Sequence, residues 1–459
     1  MLFSSLNFLL FFLPLCLLLY YLFPGIQARN NILLVFSLVF YAWGEPVYVL
    51  LILISILLNY LSALYMERIP DWKKSIFVTG ICLNLLLLGF FKYFAFLLNS
   101  IDGIMGWNLE VRHLPLPIGI SFYTFQALSY LIDLYRGRIK LQRSLPRFAL
   151  YISLFPQLIA GPIVRYSEVE EQLSVRSVDL NSLGVGLMRF LYGLAKKVLL
   201  ANNLGAFFEK SGLERGPVSL LGAWLGLIAF SLQIYFDFSG YSDMAIGLGK
   251  AFGFHFPENF RAPYGSKSIT EFWRRWHISL GSWFREYVYI PLGGSQKGLK
   301  KQVLNICIVW ALTGLWHGAA WNFVIWGLYY ALLLLFEKLI LSKVKIPVLM
   351  GRIYTLLAVF LGWGIFLCDS MEEVGQCLRN LFALSGLSLW DQKGLRLLVT
   401  SAPLLLLCAL LSAPCFVSIR EKMMEKKPLL AAVVSVFLLL LSLAFLVTQD
   451  YNPFLYFRF

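Results

Sequence analysis

Charged residues are scarce in this sequence of 459 residues: Asp, Glu, Lys and Arg make up 14% of it, whereas hydrophobic residues make up 59%. A soluble fold of this size would leave much of its apolar surface in water, so that class is excluded. Disorder and collagen-like repeats are excluded by the same composition. The apolar runs are continuous and do not alternate, which argues against a β-barrel. We therefore expect an all-α polytopic membrane protein with about 11–12 transmembrane helices.

Several familiar motifs are also missing. The seven cysteines form no CxxC pair, so neither a zinc site nor a disulfide framework is predicted. There is no Walker loop, no dinucleotide fingerprint after a strand and no GxSxG elbow, and no spacing of Ser, His and Asp suggests a triad. We expect no metal and no bound cofactor.

Basic residues exceed acidic ones, with a formal net charge of +14. They are scattered between apolar segments, so nucleic-acid binding is not expected. Under the positive-inside rule the basic clusters are cytoplasmic. They lie near 68–74, 136–147, 297–301, 338–352 and 420–427. The segment 370–395 then lies outside. The N-terminal apolar segment lacks a basic n-region and a cleavage site, so it is interpreted as a retained first span.

Short or polar segments interrupt the apolar runs. Residues 148–163 contain Pro156, Gly161 and Pro162, which predicts a re-entrant or half helix lining a protein-enclosed cavity. Residues 251–301 are too polar to span a membrane and are expected to form a cytoplasmic-side amphipathic segment.

His317 lies in a run, 303–336, that contains no Lys, Arg, Asp or Glu. An ionisable side chain in such a run is costly and predicts a functional site. If the run is helical, Gly314 and Trp321 share a face with His317. Gly314 and Gly318 would then leave room beside the imidazole for a substrate. The structural alternative is a hydrogen bond to a neighbouring helix.

Residues 270–292 predict a basic amphipathic helix. The aromatic residues fill one arc of the helical wheel, whereas Arg274, Arg275 and Arg285 fall on the opposite side. Such a helix lies at the cytoplasmic interface or lines the mouth of a cavity. His277 falls at the edge of the apolar arc, which a simple interfacial anchor does not explain.

Asp237 and Asp243 lie in apolar surroundings with Tyr241 between them. Buried carboxylates need partners. We expect ion pairs with arginines of the next segment: Arg261, Arg274 or Arg275. The remaining two histidines are interpreted as solvated or structural residues: His113 and His255.

Five strings, in order along nearly the whole chain, resemble the membrane-bound O-acyltransferase (MBOAT) family. The resemblance is strongest to its bacterial branch of alginate O-acetyltransferase membrane subunits. The strings are PIGISFYTFQALSYLIDLYRG from Pro117, FPQLIAGPIVRYSE from Phe155, YFDFSGYSDMAIGLGKAFGFHFPENFRAPY from Tyr235, SITEFWRRWHISLGSWFREYVYIPLGGS from Ser268 and LTGLWHGAAWNFVIWG from Leu312. The ending NPFLYFRF is also similar to that branch.

The resemblance implies a single membrane domain over 1–459, in which tilted helices surround a central funnel. It implies that His317 acts as the general base, or positions and activates the acceptor hydroxyl. His277 matches the second histidine of the family and is expected to shape the site or bind the donor. Donor or substrate binding is further expected at a wider set of residues: Arg274, Arg275, Trp276, Trp316, Asn259, Asp237 and Tyr241.

The implied acyl donor is acetyl-CoA, a substrate whose phosphates suit a basic cavity mouth. The implied partner is an extracytoplasmic acetyltransferase of the SGNH-hydrolase type, which modifies a polysaccharide outside the bacterial cytoplasmic membrane. A sibling branch transfers D-alanine from an acyl carrier protein to teichoic acid, and the YIPLGGS string favours the acetyltransferase branch over it. Two other classes stay open from the residues alone. One is a proton-coupled transporter or flippase of a lipid-linked sugar, with His317 and Asp237 relaying protons, and the other is a non-catalytic scaffold.

Overall fold

The computed structural model describes residues 1–108, 111, 114–159, 161–213, 219–448, 451–452 and 455. His113 and most of the closing string NPFLYFRF lie outside these residues. Within them the chain is helical and forms no strand. The predicted all-α class is therefore confirmed.

The α-helices are numbered in chain order. They are α1 Leu13–Leu22, α2 Ile26–Gly44, α3 Val49–Arg68, α4 Lys73–Leu88, α5 Phe94–Met105, α6 Ile120–Tyr135, α7 Leu145–Ser153, α8 Phe155–Leu158, α9 Tyr166–Val169, α10 Leu180–Ala195, α11 Asn202–Ser211, α12 Leu220–Ala251, α13 Ile269–Arg275, α14 Ile278–Phe284, α15 Leu299–His317, α16 Trp321–Leu339, α17 Val348–Leu367, α18 Met371–Leu381, α19 Gln392–Ser412, α20 Pro414–Lys426 and α21 Pro428–Thr448. Wider π-helical turns adjoin several of them, at Phe8–Phe12, Gly89–Tyr93, Lys196–Ala201 and Arg285–Tyr289. Single 3₁₀ turns occur at Pro70–Trp72, Pro263–Gly265 and Leu341–Lys343.

Seven helical stretches of the described chain are long and apolar enough to cross a membrane. They are Val49–Arg68, Pro70–Met105, Leu220–Ala251, Trp321–Lys343, Val348–Leu367, Gln392–Ser412 and Pro428–Thr448, with a shorter apolar stretch at Phe8–Leu22. The prediction of a multi-pass membrane protein is confirmed. The larger number of spans expected from the sequence stays a prediction.

The segment with Pro156 forms two short helices, as its broken sequence predicts. Helix α7 has nine residues and α8 has four, and Leu154 between them is not helical. Nine residues rise roughly 14 Å, less than half of a hydrocarbon core of about 30 Å. Both helices are buried from Phe148 onward, so their unpaired backbone groups are kept away from lipid.

Two compact units divide the chain: residues 1–190 with 243–257, and residues 191–242 with 258–459. In the first unit, α3 and α4 are joined by the buried amides of Asn59 and Asn84, which exchange hydrogen bonds of 3.0 and 2.8 Å. Such paired amides are a common means of joining helices inside a membrane. The second unit contains both histidines singled out above, and all the site geometry described below lies within it.

Candidate functional site

His317 is the last residue of α15, and α16 begins at Trp321 after three non-helical residues. The prediction that one helix carries Trp321 on the same face as His317 is therefore wrong. The chain leaves the helix at Gly318, whose backbone is extended (φ −158°, ψ 150°). His317 consequently sits at the turn of a helical hairpin.

The glycines beside His317 serve helix packing and do not leave room for a substrate. A Cβ atom at Gly314 would lie 2.1 Å from the carbonyl oxygen of Phe323, and one at Gly318 would lie 2.1 Å from the ring of Phe323. Across the hairpin, a Cβ atom at Gly327 would lie 2.2 Å from the carbonyl oxygen of Trp310. Small residues let the α15 and α16 backbones approach closely, as is usual between helices in membranes.

The imidazole of His317 is oriented by its own helix. Its Nδ1 lies 2.7 Å from the carbonyl oxygen of Thr313, which can only accept a hydrogen bond. Nδ1 therefore donates, and the neutral ring keeps its lone pair on Nε2. The side chain is buried, with ring contacts to Trp316, Trp326 and Phe366 at centroid distances of 5.1, 4.9 and 5.5 Å.

The amphipathic segment predicted as one helix over 270–292 is broken. Helix α13 ends at Arg275, Trp276 is extended, and His277 adopts a left-handed conformation (φ 45°, ψ 53°) before α14 begins. A non-glycine residue in this region is strained by its Cβ atom, and such residues often occur at functional sites. The break turns the imidazole of His277 to the interior, where it is 2% exposed.

Asn259 stabilises this break from a distant part of the sequence. Its Oδ1 accepts hydrogen bonds from the backbone N–H and the hydroxyl of Ser279, at 3.2 and 2.9 Å, while its backbone carbonyl accepts from the N–H of Ile278. The side chain of Asn259 thus caps the start of α14, a role that the preceding histidine does not fill. Its Nδ2 donates to Ser242, which fixes the orientation of the amide.

The same Oδ1 atom of Asn259 lies 3.2 Å from Nδ1 of His277. Because an amide oxygen only accepts, Nδ1 of His277 carries the proton and Nε2 has the lone pair. Nε2 is buried and has no hydrogen-bond partner among the described residues. His277 lies between helices, outside the spanning stretches. Its pKa is lowered well below the usual range by burial and, secondly, by the neighbouring His317.

The two imidazoles form a pair. Their ring centroids are 6.5 Å apart with the planes at 84°, and Trp316 contacts both rings. Each ring has its Nδ1 engaged with an acceptor and its lone pair on Nε2, so each can take up a proton. A buried imidazole with its lone pair on Nε2 can act as a general base.

A cavity of about 650 Å³ lies beside this pair. Its wall contains residues of α13, α14, α15 and α16, with the π-helical turn after α14, and includes His277, Trp276 and Trp273. His317 is not part of the wall; it lies behind Thr313, one helical turn away on α15. A cavity of this size suits an organic substrate, which would meet His277 directly.

The arginines near the cavity are of two kinds. Arg274 and Arg285 line it and are exposed, whereas Arg275 is absent from its wall and forms an ion pair of 2.5 Å with Glu271. Sequence reasoning placed Arg274 and Arg275 at the site and left out Arg285. The available signal was the position of Arg285 with Arg274 and Arg275 on the polar side of the helical wheel.

Asp237 and Tyr241 do not line the cavity. Asp237 forms a buried ion pair of 2.7 Å with Lys197 and accepts a hydrogen bond from the backbone N–H of Leu455. In the first unit, Asp243 pairs with Arg189 at 2.9 Å. The expected pairing of these aspartates with arginines of the segment after α12 is therefore wrong. The cations come from the segment 189–197, which the sequence did not single out.

Glu337 on α16 is a further residue that sequence reasoning missed. Its buried carboxylate accepts hydrogen bonds from the backbone N–H groups of Ile269 and Thr270 and from the hydroxyl of Thr270. It therefore holds the first turn of α13, the helix that leads to Arg274 and the break at His277. The available signal was a lone carboxylate directly after the uncharged run.

Comparison with known proteins gives a consistent picture. The model of the MBOAT, membrane-bound O-acyltransferase family matches residues 139–372. The probable alginate O-acetylase AlgI of Pseudomonas putida is 37% identical over 490 residues, covering 100% of both chains. The peptidoglycan O-acetyltransferase of Helicobacter pylori is 34% identical and covers 85% of this chain and 81% of its own. The teichoic acid D-alanyltransferase of Bacillus subtilis is 31% identical but covers only 48% of this chain and 60% of its own.

Proposed function

Because the chain belongs to the membrane-bound O-acyltransferase family, we propose that it transfers acetyl groups from acetyl-CoA to an extracytoplasmic polysaccharide. It is an O-acyltransferase, and the donor, the acceptor and the direction of transfer form the proposal. The observation that carries it is the pair of buried imidazoles, 6.5 Å apart, of which His277 lines a cavity of about 650 Å³. That arrangement supports a base beside a space large enough for a thioester.

His317 is the proposed base. Its Nε2 takes the proton of the acceptor hydroxyl while the hydroxyl oxygen attacks the thioester carbonyl carbon. The carbon–sulfur bond then breaks, and the leaving thiolate takes that proton from Nε2 of His317, so that an ester and free CoA thiol are formed. The bond from Nδ1 to the Thr313 carbonyl stabilises the ring when Nε2 gains a proton.

His277 is proposed to face the donor. It is the imidazole that lines the cavity, and its depressed pKa keeps it neutral at physiological pH. A neutral ring does not repel the proton that His317 must accept, whereas an imidazolium 6.5 Å away would oppose that step.

Arg274 and Arg285 are proposed to bind the phosphates of the donor. Both side chains line the cavity and are exposed. A guanidinium group binds phosphate through paired, charge-assisted hydrogen bonds. Arg275 is a weaker candidate than the sequence suggested, because Glu271 already neutralises it.

The acceptor class is inferred from the relatives. The two most extensive matches described above act, by name, on alginate and on peptidoglycan, both of which are glycans. We propose a polysaccharide acceptor outside the cytoplasmic membrane and an SGNH-type acetyltransferase as the partner that completes the transfer. The proposal places the enzyme in the bacterial inner membrane.

The test uses purified protein in lipid nanodiscs with acetyl-labelled acetyl-CoA. Release of CoA thiol is followed for the wild type, His317→Ala and the control His255→Ala, which removes an exposed histidine of the first unit. We expect release by the wild type and the control, and its loss in His317→Ala. Release that is unchanged in His317→Ala would overturn the role of that residue.

The donor is tested in the same system. No release by folded wild type with an SGNH-type partner present, but transfer from a D-alanyl carrier protein, would replace acetyl-CoA by that donor. Flux of a lipid-linked sugar without thioester consumption would instead establish a transporter and overturn the enzymatic proposal.

A further inference from the structure

Two cysteines that the proposed chemistry does not use meet in the second unit. Cys368 follows the last residue of α17, and Cys377 lies in the middle of α18. Both are buried, and their thiol groups lie next to each other. Both also converge on Gly364: the Cys368 thiol donates to its carbonyl oxygen at 3.3 Å, and a Cβ atom at Gly364 would lie 3.7 Å from the sulfur of Cys377.

The backbone around the pair is well fixed. Ser370 caps α18 by accepting from the N–H of Glu373, whose carboxylate in turn accepts from the N–H of Asp369. The two hydrogen bonds connect the first turn of α18 to the cap residue and to the residue before it, and so fix the start of the helix. The carbonyl of Cys368 also accepts a hydrogen bond of 2.6 Å from the buried side chain of Asn322. The two sulfur atoms are thus held together by the fold and do not meet by chance.

The pair is connected to the histidine pair through α17. Phe366, two residues before Cys368, contacts the ring of His317 at 5.5 Å and that of Trp326 at 5.2 Å. Asn322, the partner of the Cys368 carbonyl, lies five residues after His317 at the start of α16. A covalent link at Cys368 would therefore fix the end of the helix that covers the base.

The charge distribution indicates which side of the membrane the cysteines face. Helices α17 and α19 are both candidate spans, and the segment 368–391 connects them. Lys343, Lys345 and Arg352 lie at the other end of α17, and the basic cluster 420–427 follows α19. The positive-inside rule assigns those ends to the cytoplasm and the connecting segment to the outside. Disulfides form and persist in that compartment.

We propose that Cys368 and Cys377 form a disulfide bond on the extracytoplasmic side. The oxidant is a molecule that itself carries a disulfide bond. The Cys377 thiolate attacks the disulfide of the oxidant to give a mixed disulfide, and Cys368 displaces the oxidant sulfur. Two protons and two electrons leave the pair, and the oxidant departs as two thiols. The product is an intramolecular bond that joins the end of α17 to α18.

The two thiols differ in acidity. The neighbouring Cys368 thiol lowers the pKa of Cys377, whereas the Cys377 side chain and burial raise the pKa of Cys368. Cys377 is therefore the better attacking thiolate. It lies on a helix outside the spanning stretches whose opposite face is exposed at Glu372, Gln376 and Arg379, so local opening of α18 gives the oxidant access.

The test determines the redox state of each cysteine in the full-length protein. Cell membranes are treated with a maleimide, denatured and digested, and the peptides are analysed by mass spectrometry with and without prior reduction. We expect a cross-linked 368–377 peptide that disappears on reduction. It should be absent from C368S and C377S, and present in the control C408S, which removes a buried cysteine of α19.

A second measurement guards against a variant that fails to fold. Reduction of the oxidised wild type should lower its thermal midpoint by a few degrees, because a disulfide restricts the unfolded chain. C408S should show the same shift, whereas the double variant C368S/C377S should show none. If Cys368 and Cys377 are fully alkylated in the wild type, even after incubation with oxidised glutathione, the proposal is overturned.

Discussion

The two histidines of the candidate site are held by different means. The ring of His317 is oriented by a carbonyl four residues earlier in its own helix, so a regular α15 is sufficient to set its tautomer. His277 depends on Asn259, eighteen residues away in sequence, and on a left-handed backbone that neither flanking helix provides. The first histidine is positioned by local structure, and the second by tertiary contacts.

This difference has a chemical consequence. A base that must gain and lose a proton benefits from a partner that cannot move away, and a helix carbonyl meets that need for His317. A residue at a cavity wall must match the shape of a ligand, and His277 achieves this through a break that places its ring inside. Changes that damage one support without the other should separate the two roles.

The largest effect is expected from removing the proposed base. His317→Ala should lower kcat/KM for acetyl transfer by about 10²–10⁴-fold, the usual contribution of a general base. His277→Ala should have a smaller effect, mainly on the KM for the donor. Steady-state kinetics in nanodiscs separate the two, and equal losses of kcat in both variants would mean that the histidines share the chemical step.

The support of His277 provides the next test. Asn259→Ala removes the oxygen that accepts from Nδ1 of His277 and from the backbone N–H of Ser279 at the start of α14. These buried donors are then left unpaired. We expect activity to fall by about tenfold and the free energy of unfolding by about 1–3 kcal/mol. Activity assays with thermal unfolding measure both quantities. Asn31→Ala, at an exposed position, is the matched control, and similar values for the two variants would show that Asn259 does not position His277.

The other end of α13 is held by Glu337. Glu337→Gln removes the charge and part of the acceptor capacity that serves Ile269 and Thr270. A loss of about 0.5–2 kcal/mol in unfolding free energy is expected, the range typical of helix caps. The KM for the donor should rise because Arg274 is carried by the same helix. Glu425→Gln, at an exposed position of α20, is the control. An unchanged thermal midpoint in Glu337→Gln would contradict this assignment.

Substitution of the two kinds of arginine should change the KM for the donor, by a smaller factor than the changes above. Arg285→Ala should raise the KM for acetyl-CoA by about 3–10-fold, since an exposed phosphate contact contributes about 1 kcal/mol. Arg275→Ala should change it less, because Glu271 already pairs with that guanidinium. Donor titrations at low and high salt measure the difference. A larger rise in KM for Arg275→Ala than for Arg285→Ala would restore Arg275 as a donor-binding residue, as the sequence predicted.

The smallest effect concerns pH. Burial and His317 lower the pKa of His277 below its ordinary value of about 6.5, so below that pH the unfolded state binds a proton that the folded state does not. Stability should fall as pH falls from 7.5 to 5.5, by about 1 kcal/mol from this residue. Thermal unfolding at the two pH values should show a smaller loss in His277→Gln. An equal loss would exclude His277 as the source.

Sequence reasoning reached some parts of this structure and not others. It singled out His317 because an ionisable residue stands out in an apolar run, and His277 because it falls at the edge of the apolar arc of an amphipathic segment. It was wrong about Trp321 and about the glycines at 314 and 318, since it extended one helix through a turn that Gly318 and the packing of Phe323 impose. It also expected one helix over 270–292, because a helical wheel has no means of showing a break that a distant asparagine stabilises.

The sequence by itself determined that this protein spans a membrane and which ionisable residues stand in apolar surroundings. Both properties follow from local composition, because hydropathy is averaged along a segment without reference to the residues that pack against it. The tertiary structure alone decided which imidazole lines the cavity and which arginine pairs with a carboxylate. It also decided which cation pairs with Asp237 and which two cysteines lie next to each other. Each of these depends on the distance between atoms far apart in the chain, and that distance is set by packing and not by periodicity.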